Sequence, residues 1–441
     1  MSSPHQPGVK RTKPFLQQDR LLSVQSHVVS GYVGYDVDVI NTVQFSNHTG
    51  YGHTNGCKTT PEQLTSVFSG LEVNGLGRWA KVLTGYIPGA SALTVVGDEV
   101  RKLKDRAGSA KYQEDVVYLL DPVMGDIGKG LYVAEDVIPI YRSLLSQATI
   151  ITPNQFETEL LAERKIDSIK SLHEALDILH SAPHSVPHVC RQHLSEYTSL
   201  LPKEGTAESL KTWGYPGLAE DEGLRQKLTD GIRGDLDQED EPMVLACFAS
   251  TKTSGSDSLQ TYGFALPTVE GYFSGVGDLF SALVLGFFKN ETSSEVDSAN
   301  RENTTANTSN EDGRPIDLPP FAAAVSKALL GVQQILLRTH LHTLQVASET
   351  KRRERQDSTS SIPEEADCIP SDAELDSLPP TPVSKGALPI PARTARRMRM
   401  RELRIIQEKG TLLKLAEDEQ VGWPARLLDW PQLLLDKQMH V

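Results

Sequence analysis

Three stretches of this chain carry residues whose types and spacing could do chemistry. In "YFSGVGDLFSALVLGFF", Gly275 and Gly277 open an apolar helical segment and Asp278 sits at its start. A glycine turn at a helix start offers backbone N–H groups and the positive end of the helix dipole, which suits a phosphate group. Asp278 is equally readable as an N-cap, and the pattern alone leaves both roles open. The chain holds no G-x-x-x-x-G-K-[ST] sequence, so this is not a Walker-type loop. In "VVYLLDPVMGD", a strand of buried type runs into Asp121 and, one turn later, Asp126. Ligands of open α/β sheets bind beyond the carboxyl ends of strands, and paired carboxylates there suit a hydrated magnesium ion carrying a nucleotide. The bland alternative is an Asp-Pro turn followed by a solvated aspartate. In "ATIITPNQFETELL", Thr152 and Asn154 end a strand, and Asn154 and Glu157 have the spacing of a capping box. Such a carboxylate can cap and still orient water or metal.

The elements that must position these residues are short β-rich runs alternating with amphipathic segments: "LLSVQS", "VINTVQF", "WAKVLTGY", "DVVYLLD" and "ATIITPN". That alternation predicts an α/β fold with a mainly parallel sheet. Residues 290–317 and 347–395 are rich in Ser, Thr, Asn, Glu and Pro and are expected to be disordered insertions. Between them, Phe321, Val325, Ala328, Leu329, Val332, Ile335 and Leu336 recur at helical spacing and mark a helix that docks on the domain. The turn "GYVGYDVDV" at 31–39 poses a problem of length. Two strands flank it with no room for a crossover helix, so either they are not parallel neighbours or a piece usual to this architecture is absent.

Composition narrows the function. With 44 basic and 58 acidic residues, a net charge of −14 argues against a general binder of nucleic acid or anionic membrane, so any phosphate site is local. The arginine cluster "ARTARRMRMRELR" is weighed against nuclear import or nucleic-acid contact and set aside, because it runs into an alternating strand pattern. Mean hydropathy is −0.32, and neither a leader nor an apolar run of bilayer length is read in the sequence. The triplets at Asn47, Asn290, Asn303 and Asn307 are therefore read as coincidental glycosylation matches. Cys57, Cys190, Cys247 and Cys368 lack a C-x-x-C pair, which fits reduced thiols in the cytosol.

Taken in order, "LLSVQSHVVSGYVG", "INTVQFSNHTGY", "LTGY", "DPVMGD", "ITPNQFETELL" and "GVGDLFSALVL" resemble the pyridoxal kinases of the ribokinase-like superfamily. The motifs span most of residues 20–290, and "RELRIIQ" near 401 resembles the family's closing strand. The resemblance implies a ribokinase-like three-layer α/β/α fold with a mainly parallel central sheet, interrupted by disordered insertions. Residues 20–289, 318–346 and 396–430 would form the kinase domain, with 1–19 a disordered arm and 431–441 a tail. It implies ATP-dependent phosphorylation of the 5′-hydroxyl of pyridoxal, pyridoxine or pyridoxamine, with Mg2+ or another divalent cation and a monovalent K+ or Na+. Asp278 would be the general base, and Gly275, Val276 and Gly277 would hold the transferring phosphoryl group. Ser26, Val43, Phe45, Thr49 and Tyr86 would line the pyridine pocket. Asp121, Asp126, Thr152 and Glu157 would manage the cations, while Tyr132, Asn154, Glu157, Val269 and Phe273 would contact ATP. His27, His48 and His53 receive no catalytic role. A homodimer in the cytoplasm is expected, with a nuclear share as the alternative and no nucleic-acid or membrane partner.

Three departures qualify the match. The family's helix of about three turns between the glycine turn and the next strand is missing after Gly34, which should bare core residues and unmoor Ser26, Val43, Phe45 and Thr49. At "SVPHVCRQHLSEY" an apolar strand ending in Thr or Ser is replaced by Cys190, Arg191, Gln192 and His193, so a shortened or displaced strand is expected. Val276 stands where the family usually has threonine. The alternatives are thus a catalytically impaired isoform acting as a binding or regulatory subunit and, more distantly, a hydroxymethylpyrimidine kinase.

Overall fold

A computed structural model of the chain describes residues 17–26, 34–51, 53–181, 183, 186–195, 244–252, 259–267, 269, 273–289, 318–356, 398–417 and 426–428. The expected insertion at 290–317 and the tail lie outside the described residues, as does the second insertion beyond Gln356. The central sheet has nine strands in the order β13-β12-β11-β10-β9-β6-β5-β1-β2. These are β1 (Gln17–Gln25), β2 (Asp36–Asn41), β5 (Trp79–Thr84), β6 (Val117–Leu120), β9 (Ile150–Ile151), β10 (His188–Ser195), β11 (Val244–Thr251), β12 (Gln260–Pro267) and β13 (Arg426–Leu428). From β2 through β10 every pairing is parallel, and β11, β12 and β13 add antiparallel.

Strand alternation sends successive side chains to opposite faces, and each face is covered by helices. Leu22, Val24, Val82, Tyr118 and Ile151 pack against α1 (Pro61–Val73), α2 (Ala90–Ala107), α3 (Val137–Leu144), α4 (Gln155–Ala162) and α5 (Ile169–His180). Leu21, Leu83, Leu119, Ile150 and Phe264 pack against α6 (Val276–Phe287), α7 (Pro320–Gln356) and α8 (Lys409–Ala416). This is the three-layer α/β/α arrangement. The stretch Pro320–Thr343 of α7 is in fact long and apolar enough for a membrane span, contrary to the sequence reading, but 78% of that stretch is buried inside the fold. Its apolarity serves a core helix lying against α6.

β1 and β2 are parallel neighbours despite their short connection, with Arg20 opposite Asp36 and Gln25 opposite Asn41. The return path is only about 17 Å, five residues of strand, so the ten linking residues can cover it without a helix. At this edge Val39 is 42% exposed, while Tyr35 and Val37 are half-buried. The strand "VINTVQF" is broken at Thr42, so β3 (Val43–Phe45) leaves the main sheet and pairs with β4 (Gly56–Lys58). The residues flanking the gap are nevertheless moored, because Thr42 N–H reaches Gln25 O at 3.3 Å and Thr42 Oγ1 donates to Tyr86 O at 2.7 Å.

Four further expectations are corrected. The strand at 188–194 is neither shortened nor displaced: β10 keeps eight residues in the main sheet, paired with β9 and across its full length with β11. Val189 and Cys190 point to opposite cores, so alternation survives the unusual sequence. "RELRIIQ" is not a strand but a run of turns gripped by α7, with Arg404 N–H on Thr339 Oγ1 at 3.1 Å and Arg338 paired with Glu408 at 3.1 Å. The outermost strand at that edge is β13, beyond α8. The arm gives way to β1 at Gln17, and α7 continues through 347–356, where charged residues with good helix propensity extend it.

His188 lies between β10 and α7, stacked on Phe321 at 4.6 Å, and His180 on α5 contacts Val186 O and Ser250 Oγ at 2.6 and 2.9 Å. Burial lowers both histidines to about 4. The unfolded chain therefore binds more protons than the fold between about pH 6.5 and 4, and stability falls as pH drops through that window. His188→Phe keeps an aromatic ring but does not titrate. Its denaturation midpoint should fall less steeply than the parent's between pH 6.5 and 4.5, as urea titrations at each pH would show.

Candidate functional site

The carboxyl ends of β1, β5, β6 and β9 converge with the first turn of α6. Gly275 is the N-cap of α6 at φ +80, a conformation that favours glycine, and Leu279 N–H to Gly275 O at 3.0 Å is the first bond of the helix. Asp278 is thus a first-turn residue and not the cap, which resolves the ambiguity left by the sequence. It lies over the end of β5: a Cβ built on Gly85 would stand 3.6 Å from Asp278 Oδ1 and 2.6 Å from Gln25 Oε1. A side chain at this position would crowd Gln25, while Asp278 stands at ordinary contact distance.

Asp121, at the end of β6, is buried and accepts a hydrogen bond from Ser281 Oγ at 2.9 Å. Ser281 also meets Thr152 Oγ1, at the end of β9, at 2.9 Å. A hydroxyl one helical turn beyond Asp278 therefore ties α6 to two strand ends. Burial, with the Asp278 charge added, pushes the Asp121 carboxyl up to about 7, against the lowering effect of the Ser281 and Thr152 hydrogen bonds.

Asn154 and Glu157 form the expected capping box on α4, with Glu157 N–H on Asn154 Oδ1 and Asn154 N–H on Glu157 Oε2, both at 2.9 Å. Glu157 Oε1 accepts from Met124 N–H at 2.8 Å and Gly125 N–H at 3.5 Å. Both of its oxygens thus serve the main chain, so Glu157 shapes the "DPVMGD" loop instead of presenting a bare carboxylate. Burial and the nearby Asp121 raise it well above the usual range. Asp126 is likewise engaged: Asn154 Nδ2 reaches its Oδ1 at 3.1 Å, and the half-exposed Tyr132 donates to its Oδ2.

On the other side, Ser26 ends β1 half-buried, Val43 is buried on β3, and Phe45 is half-buried beside it. Thr49 is exposed in the short turn Thr49–Tyr51, and Tyr86 follows Gly85. The Thr42 contacts with Gln25 and Tyr86 bring this group to the same strand ends as Asp278. Val276, Val269 and Phe273 are half-buried, and most residues around the last two lie outside the described set. His27 also lies outside it, and no role is given to His48 or His53. Sequence reading missed Gln25, Gly85 and Ser281. Ser281 had a usable signal, its position three residues after Asp278 on one helix face.

Comparison with known proteins follows this geometry. The chain is 34% identical to sheep pyridoxal kinase over 288 residues, covering 62% of this chain and 78% of that one. It belongs to the pyridoxal kinase family. The human pyridoxal kinase is 41% identical over 181 residues, covering 37% of this chain and 56% of that one. A family model described as phosphomethylpyrimidine kinase matches residues 34–210. Among solved structures, the pyridoxal kinase of Leishmania donovani in complex with ADP and pyridoxamine superposes with a TM-score of 0.57 at 23% identity, covering 93% of this chain and 99% of that one. That likeness supports the same fold. The relatives are kinases, and nothing in them favours a binding-only subunit.

The Asp121 carboxyl gives a test of this family site. Its folded pKa of about 7 lies above the usual aspartate value of 3.8, so the fold holds more protons than the unfolded chain in between. Stability should therefore fall as pH rises from 4 to 7, the opposite of the histidine slope. Asp121→Asn should remove that fall, and Ser281→Ala should carry it to higher pH. Denaturant titrations of the three proteins from pH 4 to 8 would separate them.

Proposed function

We propose that this chain transfers the γ-phosphoryl group of ATP to the 5′-hydroxyl of pyridoxal, and of pyridoxine and pyridoxamine, as its family does. The observation that carries the reading is Asp278 in the first turn of α6, against Gly85 and the ends of β1 and β5. Asp278 accepts the proton of the attacking hydroxyl. The amides following Gly275 donate to the phosphoryl oxygens, where the helix dipole favours negative charge. Val276 in place of threonine removes a side-chain hydroxyl and leaves the backbone donor in place. Phosphoryl transfer of this kind is mostly positioning and electrostatics.

Ser26, Val43, Phe45, Thr49 and Tyr86 surround the pyridine ring, with hydroxyls on its polar edge and Phe45 against its face. Asn154 and Tyr132 border the phosphates together with Glu157, and Val269 and Phe273 flank the nucleotide. The acidic pair fits a divalent cation, because the Asp278 charge adds to the cost of ionising the buried Asp121. Mg2+ held there would neutralise charge on the polyphosphate. Asp126, Thr152 and Glu157 would support that ion through the groups they bond, and a K+ or Na+ ion would complete the set. The kinase domain is read as residues 20–289, 318–346 and 396–430, extended by the start of β1 at Gln17 and by α7 to Gln356. A cytoplasmic homodimer, without nucleic-acid or membrane partners, completes the reading.

Incubation with pyridoxal, ATP and Mg2+ tests it directly. The parent should form pyridoxal 5′-phosphate, and Asp278→Asn should lose about 10²- to 10⁴-fold in kcat, the usual worth of a general base, with nucleotide binding retained. A well-folded parent with no turnover would refute the activity, and an unchanged variant would remove Asp278 as the base.

A further inference from the structure

Lys81 is the unusual residue of the central sheet. It sits on β5 among apolar neighbours, is 9% exposed, and faces the α6 and α7 layer. Its Nζ donates to Leu285 O at 2.7 Å and Phe288 O at 2.8 Å, with Gly286 O at 3.5 Å. The Tyr35 ring lies 4.6 Å away, and Tyr35 OH donates to Gly286 O at 3.3 Å. An ammonium has three donors, and the last turn of a helix has carbonyls without intrahelical partners, so the two sets match. Burial, with the Lys289 charge added, pushes the amine down to about 7, so its hydrogen-bond donors more than its charge match this helix end.

The place of this contact sets its consequence. Lys81 stands on the strand that ends in Thr84, Gly85 and Tyr86, while the carbonyls it holds end the helix that begins with Gly275 to Asp278. From Lys81 to Gly85 the strand advances about 13 Å, and from Asp278 to Leu285 the helix rises about 10.5 Å. The two segments run side by side and touch at both ends, through the ammonium at one and the Asp278–Gly85 approach at the other. A plain C-cap could sit on any neighbouring element. This one is on the element against which the base must be placed.

We propose that Lys81 is a positioning residue for phosphoryl transfer, clasping the end of α6 to β5 and so fixing how deep Asp278 stands over Gly85. The proposal rests on the kinase reading above. It is independent of substrate recognition, since Lys81 touches none of the groups assigned to the pyridine ring or the nucleotide.

The test compares the parent with Lys81→Met, which keeps the stem and loses the donors, and with Lys81→Arg, which keeps donors and charge. Two readouts are followed: kcat and KM for pyridoxal and ATP, and amide hydrogen exchange across α6. Lys81→Met should lose about tenfold or more in kcat with both KM values within about twofold, because small misplacements of a reacting group are costly. Exchange at Leu279 and Phe280 should rise, and Lys81→Arg should keep most of both properties. A folded Lys81→Met with parental kcat and parental exchange would overturn the proposal, as would a loss confined to KM. If Lys81→Met does not fold, Lys81→Arg decides: retained kcat supports the clasp, and a folded but inactive protein overturns it. A parent without turnover would count against the kinase reading, while the exchange of α6 would still decide the clasp.

Discussion

Asp121 is buried at the carboxyl ends of the central strands beside the half-buried Asp278, and much of the surrounding structure answers the electrostatic cost of ionising it. Asp121 comes from β6 and Asp278 from α6, so the pair exists only when the helix is laid across the sheet. Burial and the neighbouring charge together lift the Asp121 carboxyl to about 7, where an isolated aspartate would be fully ionised. Ser281 offsets part of the cost with a hydrogen bond. Glu157 adds a third acid nearby but commits its oxygens to three backbone amides, so it acts as structure. A space with this much negative potential suits the cation that the proposed function places there.

The rest of the fold is arranged to hold α6 in place. Gly275 starts it with a left-handed turn, Gly85 leaves room beneath it, and Lys81 closes its far end. Behind α6, the long apolar α7 packs along it and also grips the turns at 398–408, whose Met398 and Glu402 meet the loop carrying Gly50 and Tyr51. The exposed part of β2 lies at the sheet edge, several strands from β9 and α4. The Thr42 contacts keep the two sides of the β1–β2 connection together.

The pattern of local elements was legible in the sequence because it depends on near neighbours. The capping box of Asn154 and Glu157, the continuous buried-type runs of β5 and β6, and the helical spacing of Phe321 to Leu336 all concern residues a few positions apart. Thr42 ending β2 was not legible, since "VINTVQF" reads as one strand and only pairing with β4 pulls Val43–Phe45 away. "RELRIIQ" alternates like a strand, but its backbone is committed to α7, a partner far away in sequence. The same holds for the site. Motifs pointed to Asp278, Asp121 and Glu157, and the helical spacing from Asp278 could have added Ser281, whereas Gly85 and Lys81 owe their roles to packing across elements that no local pattern encodes. Glu157 shows the converse: its residue type suggested a cation ligand, and its hydrogen bonds give it to the main chain.

The central claim is that Asp121 is a buried acid, its carboxyl pushed up to about 7 by burial and the Asp278 charge, which the proposed cation would drive to its ionised form. Calorimetric binding of ATP with Mg2+ at pH 7, repeated in buffers of different ionisation enthalpy, measures the protons released. A carboxyl titrating near 7 that is driven to its ionised form should release about half a proton per nucleotide bound, and the release should vanish in Asp121→Asn. Binding with no proton release in the parent, or with the same release in the variant, would contradict the account.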